Sequence, residues 1–136
     1  MYRQGQVKYN LETGSHTVYA LQFHFVTVTK YRRDVLTDDI TERIGEIAND
    51  LANDFGVEIQ SVNGGGDHVH VLFTSKPTTT LTKFFNSFKG VSSRYVREEF
   101  PETKRSIENG LWQPGYFVAS TGQVSIDVLM EYVEEQ

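Results

Sequence analysis

Apolar residues recur along this chain with two different periods, and the changes between them lay out the elements. Over residues 16–30 (HTVYALQFHFVTVTK) the period is two. Tyr19, Leu21, Phe23 and Phe25 fall on one side and Gln22, His24, Val26 and Val28 on the other, which predicts a strand with one apolar face. The spacing then becomes helical: Thr37 stands where a cap belongs, Ile40, Ile44, Ile47 and Leu51 share a face, and the run ends before Gly56. Residues 57–62 read as a short strand, Asn63-Gly-Gly-Gly as a turn, and 68–74 as the next strand. Pro77 and a threonine cluster lead into a helix over Leu81–Glu99, with Leu81, Phe84, Phe85, Phe88, Val91 and Tyr95 as its apolar stripe. After Pro101 the pattern predicts a loop, then a strand at 116–120. A last helix follows, capped by Ser125, with Ile126, Leu129, Met130 and Val133 facing inward.

The order β-α-β-β-α-β-α predicts an α+β fold: a ferredoxin-like or RRM-like antiparallel sheet with helices on one face, plus a C-terminal helix. Residues 1–136 form one domain in this reading, with no repeat and no linker, and one face of the sheet stays open for a partner or substrate. The absence of cysteine excludes disulfides and thiolate metal sites. No apolar run approaches bilayer length, and the polar opening MYRQGQVKYN lacks the core of a signal peptide, so the expected compartment is the cytoplasm, without a membrane partner.

A net charge of −5 argues against a nucleic-acid partner until its distribution is considered. Between His68 and Arg97 there is no acidic residue, while Lys76, Lys83, Lys89, Arg94 and Arg97 all lie there. Lys83, Lys89, Arg94 and Arg97 mostly share the polar side of the second helix. That side fits an anion-binding face and a merely solvated one equally well. The acid surplus with few lysines would also suit a high-salt cytoplasm.

The densest chemistry sits in GGGDHVHVLF, residues 64–73. With a strand period of two, His68 and His70 project from one face beside Leu72, while Val69, Val71 and Phe73 face the helices. Two such imidazoles can grip a divalent metal. An exposed histidine pair on a sheet is also an ordinary structural feature, and Asp67 serves either as a support to the metal site or as a turn cap. His24 and Gln22 point to the same open side. On the last helix Tyr132 and Gln136 are four apart and so share a face, at the edge of the apolar stripe. The lone tryptophan, Trp112, fits the core better than a base-stacking role, and Tyr95 also reads as core.

Read together, the strand-borne His-Val-His, KYRRDVL after the first strand, FFNSFKGVSSRYVREEFP, LWQPGYFVAS and the closing EYVEEQ resemble the single-tyrosine HUH transposases of the insertion-sequence 200/605 group. The likeness runs over residues 16–136. It implies that His68, His70 and Gln136 hold a divalent metal, Mg²⁺ or Mn²⁺, and that Tyr132 is the nucleophile. It further implies single-stranded DNA with hairpins at the element ends as substrate, a 5′-phosphotyrosine intermediate and rejoining without ATP. The likeness also suggests a homodimer in which the tyrosine of one subunit can complete the other's site. Phosphate contacts would come from Lys83, Lys89, Arg94 and Arg97, then Arg32 and Arg33. Tyr31, Tyr95 and Tyr116 have no partner ligand one turn along a terminal helix, which leaves Tyr132 as the choice. The alternatives are a hairpin-binding protein without catalysis on the same fold, and a small hydrolase using His68 and His70 on another substrate.

Overall fold

The computed structural model describes residues 11–13 and 18–135. Two short strands, β1 (Glu12–Thr13) and β2 (Val18–Tyr19), pair with each other and precede the main sheet. That sheet is built from β3 (Gln22–Val28), β4 (Val57–Gly65), β5 (His68–Ser75) and β6 (Phe117–Ser120), in the order β4-β5-β3-β6. Every pairing is antiparallel. Helix α1 (Asp38–Ala52) joins β3 to β4. Helix α2 (Leu81–Glu99) and the short α3 (Pro101–Ser106) join β5 to β6, and α4 (Ile126–Glu134) ends the fold. This is the ferredoxin-like α+β arrangement that the element order predicts.

The main core lies between the sheet and the pair α1/α2. Phe25, Val69, Val71 and Phe73 meet Ile40, Ile44, Phe84, Phe85 and Phe88 there, all of them buried. Phe25 stacks on Phe85 with ring centroids 4.3 Å apart and meets Phe88 edge-on at 5.6 Å. Such aromatic pairs add about 0.5–1.5 kcal/mol each beyond their burial. Arg43 of α1 forks onto Glu99 of α2 at 2.7 and 3.2 Å, closing the helix layer. The Thr37 hydroxyl accepts from the Ile40 amide at 3.3 Å and starts α1 as expected.

Five sequence expectations change. The strand over 16–30 is two strands, because the pairing of β2 with β1 ends before β3 begins; residues 16 and 17 lie outside the described residues. Gly64 and Gly65 belong to β4, paired with Val69 and His68, so only Gly66-Asp67 forms the turn. The stretch after Pro101 is helical, with the proline where its missing N–H costs nothing. The buried stripe of α2 runs through Ser92 and Val96; Tyr95 lies at its edge with Arg43 and Arg94 over its ring. Finally, α4 covers part of the open face: Leu129 and Val133 pack on Val26 and Val28 in a second, smaller core.

Candidate active site on the outer face of the sheet

His68 and His70 project from the face opposite α1 and α2, and both are partly exposed. Their cross-strand neighbours are Val28 and Val26, the two residues on which α4 rests. Directly opposed residues on one face of a sheet sit about 4.5–5.5 Å apart, so the seat of α4 adjoins the histidines. Tyr132, 60 % exposed, immediately precedes the fully buried Val133 on that helix. Gln136 lies outside the described residues.

The surroundings of each imidazole set its chemistry. His68 Nδ1 is 3.1 Å from Asp67 Oδ1, and Arg32 Nε donates to Asp67 Oδ2 at 3.0 Å. Burial would push the Asp67 carboxyl up, but the bonds from His68 and Arg32 and the Arg32 charge outweigh it and hold the group below its ordinary value. The carboxylate at Nδ1 orients the His68 ring, as second partners do for metal-ligating histidines. His70 Nε2 lies 2.9 Å from Nδ1 of the buried His24. Burial, then the nearby charges of His24 and His68, push His70 down to about 4, so it is a neutral base at physiological pH. Oriented imidazoles on one face, that of His70 neutral, fit a divalent cation. Among the described residues no group of three or more His, Cys, Asp or Glu could enclose an ion alone, so further donors would have to come from elsewhere.

The other sequence candidates separate clearly. His24 joins the histidine cluster, whereas Gln22, at the far end of β3, bonds to Gln60 and Thr121. Lys89 Nζ donates to the Gln113 and Gly115 carbonyls at 2.9 and 2.5 Å, and Arg97 Nη1 to those of Ile107 and Gly110 at 3.2 and 2.7 Å. Both thus secure the loop before β6. Lys83 and Arg94 are exposed on α2, in the layer opposite the histidines. Trp112 is core, its Nε1 donating to Ser92 Oγ at 2.9 Å. Arg33 lines a recess with Lys30, Tyr31 and Arg105. Sequence reasoning missed the place of Arg32. Its Nη1 donates to the Val133 carbonyl at 3.1 Å and approaches that of Glu134 at 3.4 Å, so one side chain touches both the acid behind His68 and the end of α4.

Comparison with known families decides the lineage. The profile described as "Transposase IS200 like" matches residues 17–136. The chain belongs to the IS200-like transposase family. It is 28 % identical over 127 residues to the ISDra2 transposase TnpA of Deinococcus radiodurans, covering 93 % of this chain and 91 % of that one. It is also 28 % identical over 123 residues to the transposase for insertion sequence element IS200 of Salmonella typhimurium, covering 90 % of this chain and 80 % of that one. Among solved structures, a Deinococcus radiodurans R1 protein assigned as a transposase superposes with a TM-score of 0.82 at 30 % identity, over 92 % of this chain and 97 % of that one. The structure of a REP-associated tyrosine transposase bound to a REP hairpin shares the fold, with a TM-score of 0.55 at 13 % identity, over 91 % and 67 % of the two chains. No helix among the described residues of this transposase is long and apolar enough to cross a membrane.

Proposed function

We propose that this transposase is a metal-dependent single-strand DNA endonuclease and strand transferase that recognises hairpins at its element ends and works through a 5′-phosphotyrosine at Tyr132. The observation that carries the reading is the seat of α4: the helix bearing Tyr132 packs on the two valines directly opposite His68 and His70. The REP hairpin bound by the REP-associated relative supports the same substrate form here.

In the cleavage step the Tyr132 hydroxyl oxygen attacks phosphorus, a P–O bond to tyrosine forms and the P–O3′ bond breaks. The proton lost by the phenol is balanced by the one gained by the leaving 3′-oxygen. One phosphodiester replaces another, so rejoining is the reverse step with a new 3′-hydroxyl and needs no ATP. A divalent ion, Mg²⁺ or Mn²⁺, held by His68, His70 and Gln136 would supply Lewis-acid polarisation of the scissile phosphate. Asp67 fixes the ring of His68, His24 braces that of His70, and the buried valines beneath α4 keep the tyrosine helix against the strand. The assembly proposed is a homodimer, which light scattering would report as twice the 15.5 kDa chain.

The test is a denaturing gel of protein mixed with single-stranded DNA from the flanks of its own gene, with Mg²⁺ or Mn²⁺. A metal-dependent covalent band is expected, lost entirely in Tyr132→Phe and in His68→Ala. Hairpin binding on a native gel without any covalent band would instead make the protein a non-catalytic binder. Cleavage surviving in Tyr132→Phe would make it a hydrolase.

A further inference from the structure

We propose that Arg32 is a positioning residue for strand cleavage, holding the turn of α4 that carries Tyr132 at a fixed place relative to His68. The inference rests on Tyr132 as the nucleophile. Its physical basis is a single guanidinium shared by two elements: Nε on Asp67, whose other oxygen meets His68, and Nη1 on the carbonyls of Val133 and Glu134. The last carbonyls of a helix have no partner within it and favour a cation. At nine residues, α4 is also too short to hold its place by helix propensity alone. Leu129 and Val133 anchor one face, and Arg32 anchors the C-terminal end, one residue beyond Tyr132.

The backbone is bent to aim this side chain. Tyr31 and Arg32 adopt φ of 57° and 52°, a left-handed conformation that costs non-glycine residues on the order of 1–3 kcal/mol. The segment is over-determined by its ties to the turn before β5. Thr29 N and Oγ1 donate to the Asp67 carbonyl at 2.9 and 3.2 Å, and Val35 N and Leu36 N donate to that of Gly66 at 3.1 and 2.8 Å. Arginine is required because its planar fork can meet a carboxylate along one edge and carbonyls from the next nitrogen. A lysine ammonium offers one point charge.

The experiment compares Arg32→Ala and Arg32→Lys with Lys104→Ala, an exposed cation on α3, as the lost-charge control. Single-turnover adduct formation at saturating hairpin DNA is measured apart from hairpin affinity. A roughly 10- to 100-fold slower adduct step is expected in both Arg32 variants, with affinity within about threefold and Lys104→Ala near wild type. Millimolar guanidinium should restore Arg32→Ala but not Tyr132→Phe, a rescue that a merely structural role would not give. Unchanged rates, or a loss residing in affinity with a shallower salt dependence, would overturn the proposal, the latter making Arg32 a phosphate contact. If Arg32→Ala does not fold, Arg32→Lys carries the same comparison. Amide hydrogen exchange in α4 gives a readout independent of chemistry. Faster exchange over residues 126–134 in the Arg32 variant is expected, and unchanged exchange overturns the inference even if wild type forms no adduct, a result that would separately sink the role of Tyr132.

Discussion

At the scale of single residues, His70 makes folding sensitive to acid. Its ordinary value is 6.5 and the folded chain pushes it down to about 4, so below pH 6.5 the unfolded chain takes up a proton that the folded one refuses. Stability is therefore present in full above that range, falls as pH drops from about 6.5 to about 4, and levels off below. His24, lowered by its own burial, acts in the same direction. Asp67 is also lowered, from 3.8, so its contribution disappears only at more acid pH. Thermal midpoints from pH 7 to pH 4 should decline, and His70→Asn should flatten that decline. An equal decline in the variant would place the proton elsewhere. The histidine pair itself was legible, because strand periodicity fixes which residues share a face. The Arg32 link was not: nothing in KYRR signals two successive left-handed residues, since neither is glycine, and an arginine in a basic run reads first as a phosphate contact.

At the scale of elements, the glycines before the histidines show why pattern reading placed a turn too early. Three glycines in a row suggest chain reversal, yet Gly64 continues β4 because β5 comes too close there for a side chain. A Cβ on Gly64 would lie 2.5 Å from the His68 carbonyl oxygen and 3.2 Å from Val69 Cα, both backbone atoms. At Gly65 the same atom would meet nothing within 4 Å. Gly64→Ala should therefore destabilise by about 1–3 kcal/mol, by forcing the backbone of the histidine strand to move. Gly65→Ala should stay within about 0.5 kcal/mol of wild type. Urea denaturation of the two single variants measures both. Equal effects would mean that the close approach of β4 and β5 does not constrain the site. The same limit explains α3 and the broken first strand: local pattern gives the period of an element, while its ends depend on which strand is there to pair with it.

At the scale of the whole molecule, the sheet divides the chain into a helix layer and a chemical face. Amphipathic spacing identifies the polar side of α2 but not the layer of the molecule from which that side looks out. Packing of Phe84, Phe85 and Phe88 on Val69, Val71 and Phe73 puts α2 behind the sheet, away from His68 and His70. The basic stretch that drew attention in the sequence thus splits in two. Lys89 and Arg97 are committed to the carbonyls of the loop before β6, while Lys83 and Arg94 face solvent on the far layer. On the proposed function, DNA is cleaved at the face with the histidines, away from that far layer. The double variant Lys83→Ala with Arg94→Ala should therefore keep its single-turnover adduct rate within about twofold of wild type. The slope of log affinity against log salt should also be unchanged, since each lost phosphate contact would lower it by about one. A shallower slope would show that the DNA wraps around the sheet edge onto α2, and the acid-free stretch would then regain the role its composition suggests.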